Sequence, residues 1–154
     1  MDAAPGSDAV EKDARRGGGC VCGRVRYVAT GSPLRVTVCH CAWCQRRTGT
    51  AFGAEAVFPQ GMVAYTAARP KSYRHVSDRS GRWVEQHFCA DCGANTGMAL
   101  EAAPELVTVA AGTFDDPSWL RREGVEFRYV FMRSAQCWSE VPDGALTYAE
   151  HFRD

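Results

Sequence analysis

The stretch Val38–Gly49, VCHCAWCQRRTG, sets Cys39, His40, Cys41, Trp43 and Cys44 almost side by side and follows them with Arg46 and Arg47. Cysteines this dense bind metal or do chemistry more often than they pack a core. In an extended strand alternate side chains share a face, so Cys39 and Cys41 converge while His40 turns to the other side. Cys44 completes a CxxC pair with Cys41, a spacing at which the chain folds over and brings both sulfurs to one ion. The group therefore offers three thiolates.

Four of the remaining cysteines form two flanking pairs, and the chain has eight in all. Cys20-x-Cys22 is followed by Gly23, and Cys89-x-x-Cys92 by Gly93. A glycine just after such a pair relieves the backbone where the tight knuckle needs a positive φ. Zinc held by cysteine alone takes a tetrahedron of thiolates. Cys20, Cys22, Cys89 and Cys92 fill one tetrahedron and leave no exchangeable position, which marks a structural site. Cys39, Cys41 and Cys44 are one ligand short, and three protein ligands with an open position mark a catalytic zinc. Recruitment of His40 or Cys137 would close that site instead. Disulfides are the alternative for an exported chain, and a redox pair at Cys41/Cys44 or Cys89/Cys92 is another, although the strand–turn–helix setting of a thioredoxin motif is missing. Cys137 stands alone and reads as a core thiol.

The residues beside the trio carry two readings each. Arg46 is the candidate to pair with a substrate carboxylate, or else part of a solvated turn, and Arg47 reads more readily as solvated. Trp43 walls a pocket or anchors the core. His87 reads as a sheet or surface histidine, and Asp115-Asp116-Pro117 as a β-turn.

Composition bounds the rest. The chain has 154 residues, enough for one domain with a real core. Its formal net charge is zero, so no overall field draws it to nucleic acid or an anionic membrane, and Arg121-Arg122 and Arg46-Arg47 are too sparse for a basic stripe. The cationic residues are almost all arginine, with Lys12 and Lys71 the lysines, which reads as a coding bias. No run is long and apolar enough for a membrane helix, and the start lacks a signal-peptide pattern, so the cytoplasm is the expected compartment. Residues 1–17 are small, charged and glycine-rich and are expected to be a disordered lead-in to a single domain over 18–152.

Within that domain short β-branched and aromatic runs alternate with turn formers such as Gly31-Ser32-Pro33, Pro59-Gln60-Gly61 and Pro142-Asp143-Gly144. The pattern predicts strands at Val21–Ala29, Leu34–Cys39, Ala51–Phe58, Val63–Tyr65, Ser72–Val76, Trp83–Phe88, Thr96–Ala99, Leu106–Ala111, Phe127–Met132 and Cys137–Val141. Helical patterns are confined to Cys41–Arg47 and Pro117–Arg122. The fold class is all-β, mainly antiparallel.

The segments GGCVCGRVRY, CHCAWCQRRTG, FCADCG and GTFDDP, in this order and at these separations, resemble the family of glutathione-dependent formaldehyde-activating enzymes, which also includes centromere protein V. The resemblance runs from Gly19 to about Phe152. It implies a zinc-bearing β-tent with a structural zinc on Cys20, Cys22, Cys89 and Cys92 and a catalytic zinc on Cys39, Cys41 and Cys44. It further implies condensation of formaldehyde with glutathione to S-hydroxymethylglutathione, the reverse of a carbon–sulfur lyase step. Trp138 fits the family's C-terminal segment, whereas Tyr129 and Cys137 stand where the family usually has a histidine and a proline.

Overall fold

The computed structural model describes residues 13–152. Its strands are β1 (Arg15–Gly19), β2 (Arg26–Thr30), β3 (Arg35–Cys39), β4 (Gly53–Pro59), β5 (Val63–Tyr65), β6 (Lys71–Val76), β7 (Trp83–Phe88), β8 (Asn95–Leu100), β9 (Leu106–Ala110), β10 (Phe127–Val130) and β11 (Leu146–Thr147). Two short α-helices, α1 (Ala42–Thr48) and α2 (Trp119–Arg122), and 3-10 turns at Ala111–Thr113 and Met132–Ser134 complete it. The chain is thus mostly β. β1, β2 and β5 form a three-stranded sheet, and the others form an eight-stranded sheet in the order β11-β10-β3-β4-β9-β8-β7-β6. Pairing is antiparallel except where β10 lies parallel to both β3 and β11.

Period-2 alternation divides the large sheet into two faces. Val36, Val38, Ala56, Phe58 and Val109 point to one side and pack against Tyr27 and Ala29 of the small sheet. Phe114 and Trp119 seal this core, with Phe114 edge-on to Tyr27 at 5.7 Å and to Trp119 at 5.3 Å. The alternate residues (Arg35, Thr37 and Cys39 on β3, Glu55 and Val57 on β4, Leu106 and Thr108 on β9, Met98 and Leu100 on β8) face away from the core and line a cavity of about 550 Å³.

That open face is strongly curved. β3 and β6 are five positions apart in the sheet, ~24 Å if flat at the usual strand spacing. Yet Trp43, in the helix that follows β3, stacks on His75 of β6 with ring centroids 5.6 Å apart. On the other flank Arg79, in the β6–β7 turn, lies over Phe131 and pairs with Glu150 at 3.2 Å. The sheet curls until side chains, not backbone hydrogen bonds, close the seam.

Several sequence expectations need correction. The lead-in read over residues 1–17 lies outside the described residues up to position 12, but Arg15–Gly17 belong to β1, paired in register with β2. A glycine-rich stretch forms a strand here because a Cβ at Gly18 would strike the Tyr27 ring, so only bare backbone can pair at that spot. The strand expected from Val21 begins at Arg26, since Cys20–Gly23 is a turn closed by Gly23 N–H to Cys20 C=O at 3.0 Å. The strand expected to reach Met132 stops at Val130, because Phe131 takes a left-handed backbone at φ 57°. The run Cys137–Val141 forms no strand and lies in the loop beyond.

Candidate metal centres and an adjoining cavity

The two flanking cysteine pairs meet. Cys22 Sγ lies 3.5 Å from Cys20 Sγ and 3.7 Å from Cys89 Sγ, and all four sulfurs, Cys92 included, fall within 4.8 Å of one another. The edge of a zinc–thiolate tetrahedron is ~3.8 Å, so the spacing suits the ion. The convergence of Cys20 and Cys22 does not come from strand alternation, as the sequence suggested. Both pairs sit in turns of the same build. Gly93 N–H donates to Cys89 C=O at 2.9 Å, as Gly23 does to Cys20, and the two glycines hold φ at 74° and 79°. These are positions that a side chain would strain. Val25 N–H donates to Cys20 Sγ at 3.2 Å, a bond that favours the thiolate. Cys20 and Cys89 are buried while Cys22 and Cys92 face solvent.

Cys39, Cys41 and Cys44 also gather within 4.8 Å. Cys39 ends β3, Cys41 caps α1 by accepting Cys44 N–H at 3.4 Å, and Cys44 lies one turn in. Strand alternation therefore stops short of Cys41, and the change from strand to helix does the converging. Three thiols this close cannot share ionisation evenly. Hydrogen bonds from Cys39 and then Cys44 hold Cys41 as a thiolate, its pKa lowered to about 2, while Cys39 is pushed up by the same contacts. A cation among them removes that conflict, and the donor set, all soft sulfur, fits zinc.

His40 does not join the trio. It is 1% exposed, packed against Phe52 at 5.4 Å and Tyr129 at 6.3 Å, and burial holds its imidazole below the ordinary histidine value. Tyr129, at the position where the resemblance implies a histidine, thus backs the residue between two candidate ligands. Cys137 is exposed and outside both groups, which corrects its reading as a core thiol.

The trio differs from the four-sulfur group in its surroundings: all three of its cysteines line the cavity, and none of the other four does. Trp43 forms part of the cavity wall, which decides between its two readings. Arg46 is exposed on α1 and does not line the cavity, so the expected substrate contact is corrected. The physical reason is helical rotation, which turns Arg46 outward and Arg47 inward. Arg47, read as solvated, is 2% exposed in its side chain, bonds Glu55 Oε1 at 2.6 Å and lies 5.2 Å from the Trp43 ring centre. Glu55 also accepts from Thr108 Oγ1 at 2.8 Å. Sequence reasoning missed this pair, although a lone carboxylate in the apolar run Ala51–Phe58 signals a buried cation nearby. His87, as expected, is a sheet residue, 3.5 Å from Glu85. Asp115 pairs with Arg26 at 2.5 Å and Asp116 accepts from Ser118 N–H, which makes that segment a structural turn.

Comparison with known proteins follows the same lines. A family model described as glutathione-dependent formaldehyde-activating enzyme matches residues 15–130. A crystal structure of a Rhodobacter sphaeroides protein is similar in fold, with a TM-score of 0.54 and 21% identity over 74% of this chain and 99% of that one. No curated protein matches the chain.

Proposed function

The chain belongs to the glutathione-dependent formaldehyde-activating enzyme family, and from that premise we propose that it is a zinc enzyme of the carbon–sulfur lyase type, adding a small carbonyl such as formaldehyde to a low-molecular-weight thiol of the glutathione kind, or removing it. The observation that carries this reading is the unequal setting of the two cysteine groups. The three-sulfur group opens into a cavity and the four-sulfur group does not.

Cys20, Cys22, Cys89 and Cys92 would hold a structural zinc, and Cys39, Cys41 and Cys44 a catalytic one. A three-thiolate zinc supplies an open position that favours the ionised form of a substrate thiol. The chain's own residues do the remaining work. Arg47, buried beside Cys44, offsets part of the negative charge that three thiolates concentrate there. Trp43 and the open sheet face exclude water and hold the thiol against its partner, which removes part of the entropic barrier. The addition balances without an oxidant: the sulfur–carbon bond forms, the carbonyl π bond breaks, and the thiol proton ends on the new hydroxyl oxygen. No membrane helix is present among the described residues, and small molecules are the partners the cavity suits.

The test is a rate. Zinc-loaded protein mixed with formaldehyde and a thiol is expected to form the S-hydroxymethyl adduct faster than the same mixture without protein, and Cys41→Ser is expected to abolish the gain. Absence of acceleration with every thiol tried would sink the reading.

A further inference from the structure

The proposed reaction uses only one end of the cavity. The remainder runs from the trio across the open face of β4, β9 and β8 to β7 and β6, and its walls include Val57, Leu106, Met98, Leu100 and Val84. A sheet face turned to water ordinarily carries polar residues at these alternate positions. Here they are apolar, and the curl of the sheet shelters them. Enclosed apolar walls with a few placed polar groups are the make-up of a small-molecule site.

The charges are equally one-sided. Among the described residues lining the cavity the cations are Arg35 and Arg82, and the only carboxylate is Glu55. Glu55 is already committed to Arg47 and Thr108. Arg82 is exposed, in the turn that leads into β7, and lines the cavity. A ligand carboxylate therefore has the exposed Arg82 guanidinium to turn to, while a ligand ammonium has no uncommitted carboxylate. An unpaired charge carried into such a cavity is costly.

Resting on the reading above, we propose that the thiol this cavity selects is an apolar or aromatic-bodied thiol carboxylic acid without an amine, its sulfur at Cys39, Cys41 and Cys44, its body on Met98, Leu100 and Val84, and its carboxylate toward Arg82. Glutathione, with an ammonium and a polar peptide body, is the poorer fit. The cavity volume of about 550 Å³ leaves room for a body well beyond a two-carbon chain.

Full-length zinc-loaded protein titrated with three probes tests this: 2-mercapto-3-phenylpropanoate, 2-phenylethanethiol and glutathione. Quenching of tryptophan fluorescence reports binding, because Trp43 lines the cavity. The aryl thiol acid is expected to bind about tenfold or more tighter than glutathione. Arg82→Gln is expected to narrow its advantage over 2-phenylethanethiol, and Leu100→Gln, or Val84→Thr on the neighbouring strand, to narrow its advantage over glutathione. Glutathione binding as tightly as the aryl acid, or tighter, overturns the inference and leaves the reaction class standing. If instead no thiol reacts with formaldehyde faster than it does without protein, the reaction class falls, and the order of the three affinities still decides the inference.

Discussion

Tyr27 shows how much one side chain can hold. It is 1% exposed at the junction of the two sheets, and its O–H meets Thr113 Oγ1 at 2.8 Å. Thr113 spends its own proton on Ala110 C=O at 2.7 Å, so the tyrosine is the donor. A tyrosinate can neither donate that bond nor be hydrated there. Burial accordingly pushes the phenol above its ordinary value of ~10. The folded pKa is raised, so the stability it represents is fully present below pH ~10 and is lost as pH climbs toward the folded value, because the unfolded chain releases the proton first. Urea unfolding between pH 9 and 11 should show the native protein losing up to ~1.4 kcal/mol per pH unit from this group. Tyr27→Phe should be ~1 kcal/mol less stable at pH 7, through the lost hydrogen bond, and should decline less steeply above pH 10. Parallel alkaline limbs for the two proteins would show that Tyr27 is not the group responsible.

Between elements the informative link is Arg47–Glu55, which ties α1 to β4 directly beneath the trio. Both side chains are almost fully buried, at 2% and 6% exposure. Removal of one partner from such a pair leaves a buried charge and typically costs ~3–5 kcal/mol. Arg47→Ala should therefore lower stability by an amount of that order, and Arg47→Met with Glu55→Gln by clearly less than the single change, since no charge is stranded. A thermal melt of the two variants beside the parent protein decides it, and equal losses for the single and the double variant would mean that the pair acts through packing alone. The same helix marks the limit of what the sequence made legible. The partition of seven cysteines into a group of four and a group of three follows from spacing, because CxC and CxxC restrict what the backbone can do locally. Which face of α1 carries Arg46 and which Arg47 depends on where the helix begins, and Cys41 as cap sets that one residue later than the pattern suggested. The strands from Leu34 to Leu106 were readable because β-branched runs and turn residues alternate there. β1 was hidden in a glycine run and β11 is two residues long. The cavity itself was out of reach, since alternation tells which residues share a face but not which face is left uncovered.

At the scale of the whole molecule the four-sulfur group sits where a metal would staple the two sheets together. Cys20 and Cys22 lie in the β1–β2 turn of the small sheet, and Cys89 and Cys92 in the β7–β8 turn of the large one. An ion there would join the two sheets across a gap of 67 residues between Cys22 and Cys89. The trio, by contrast, spans only a strand end and the first turn of α1, so local backbone already holds it together. Two zinc ions per chain are expected, and the two should leave in different ways. A chelator added in steps should take the first equivalent with loss of adduct-forming activity and little change in circular dichroism. The second equivalent should leave only together with unfolding, because metal binding to a closed structural site is itself folding free energy. Substitution separates the same two roles. Cys41→Ser keeps an oxygen at the N-cap, so it removes one ligand of the trio while preserving the start of α1, and its Tm should fall by only a few degrees. Cys89→Ser is buried and breaks the link between sheets, and its Tm should fall by about 10 °C or more. If Cys41→Ser proved the more destabilised of the two, the division into a structural and a working site would have to be exchanged.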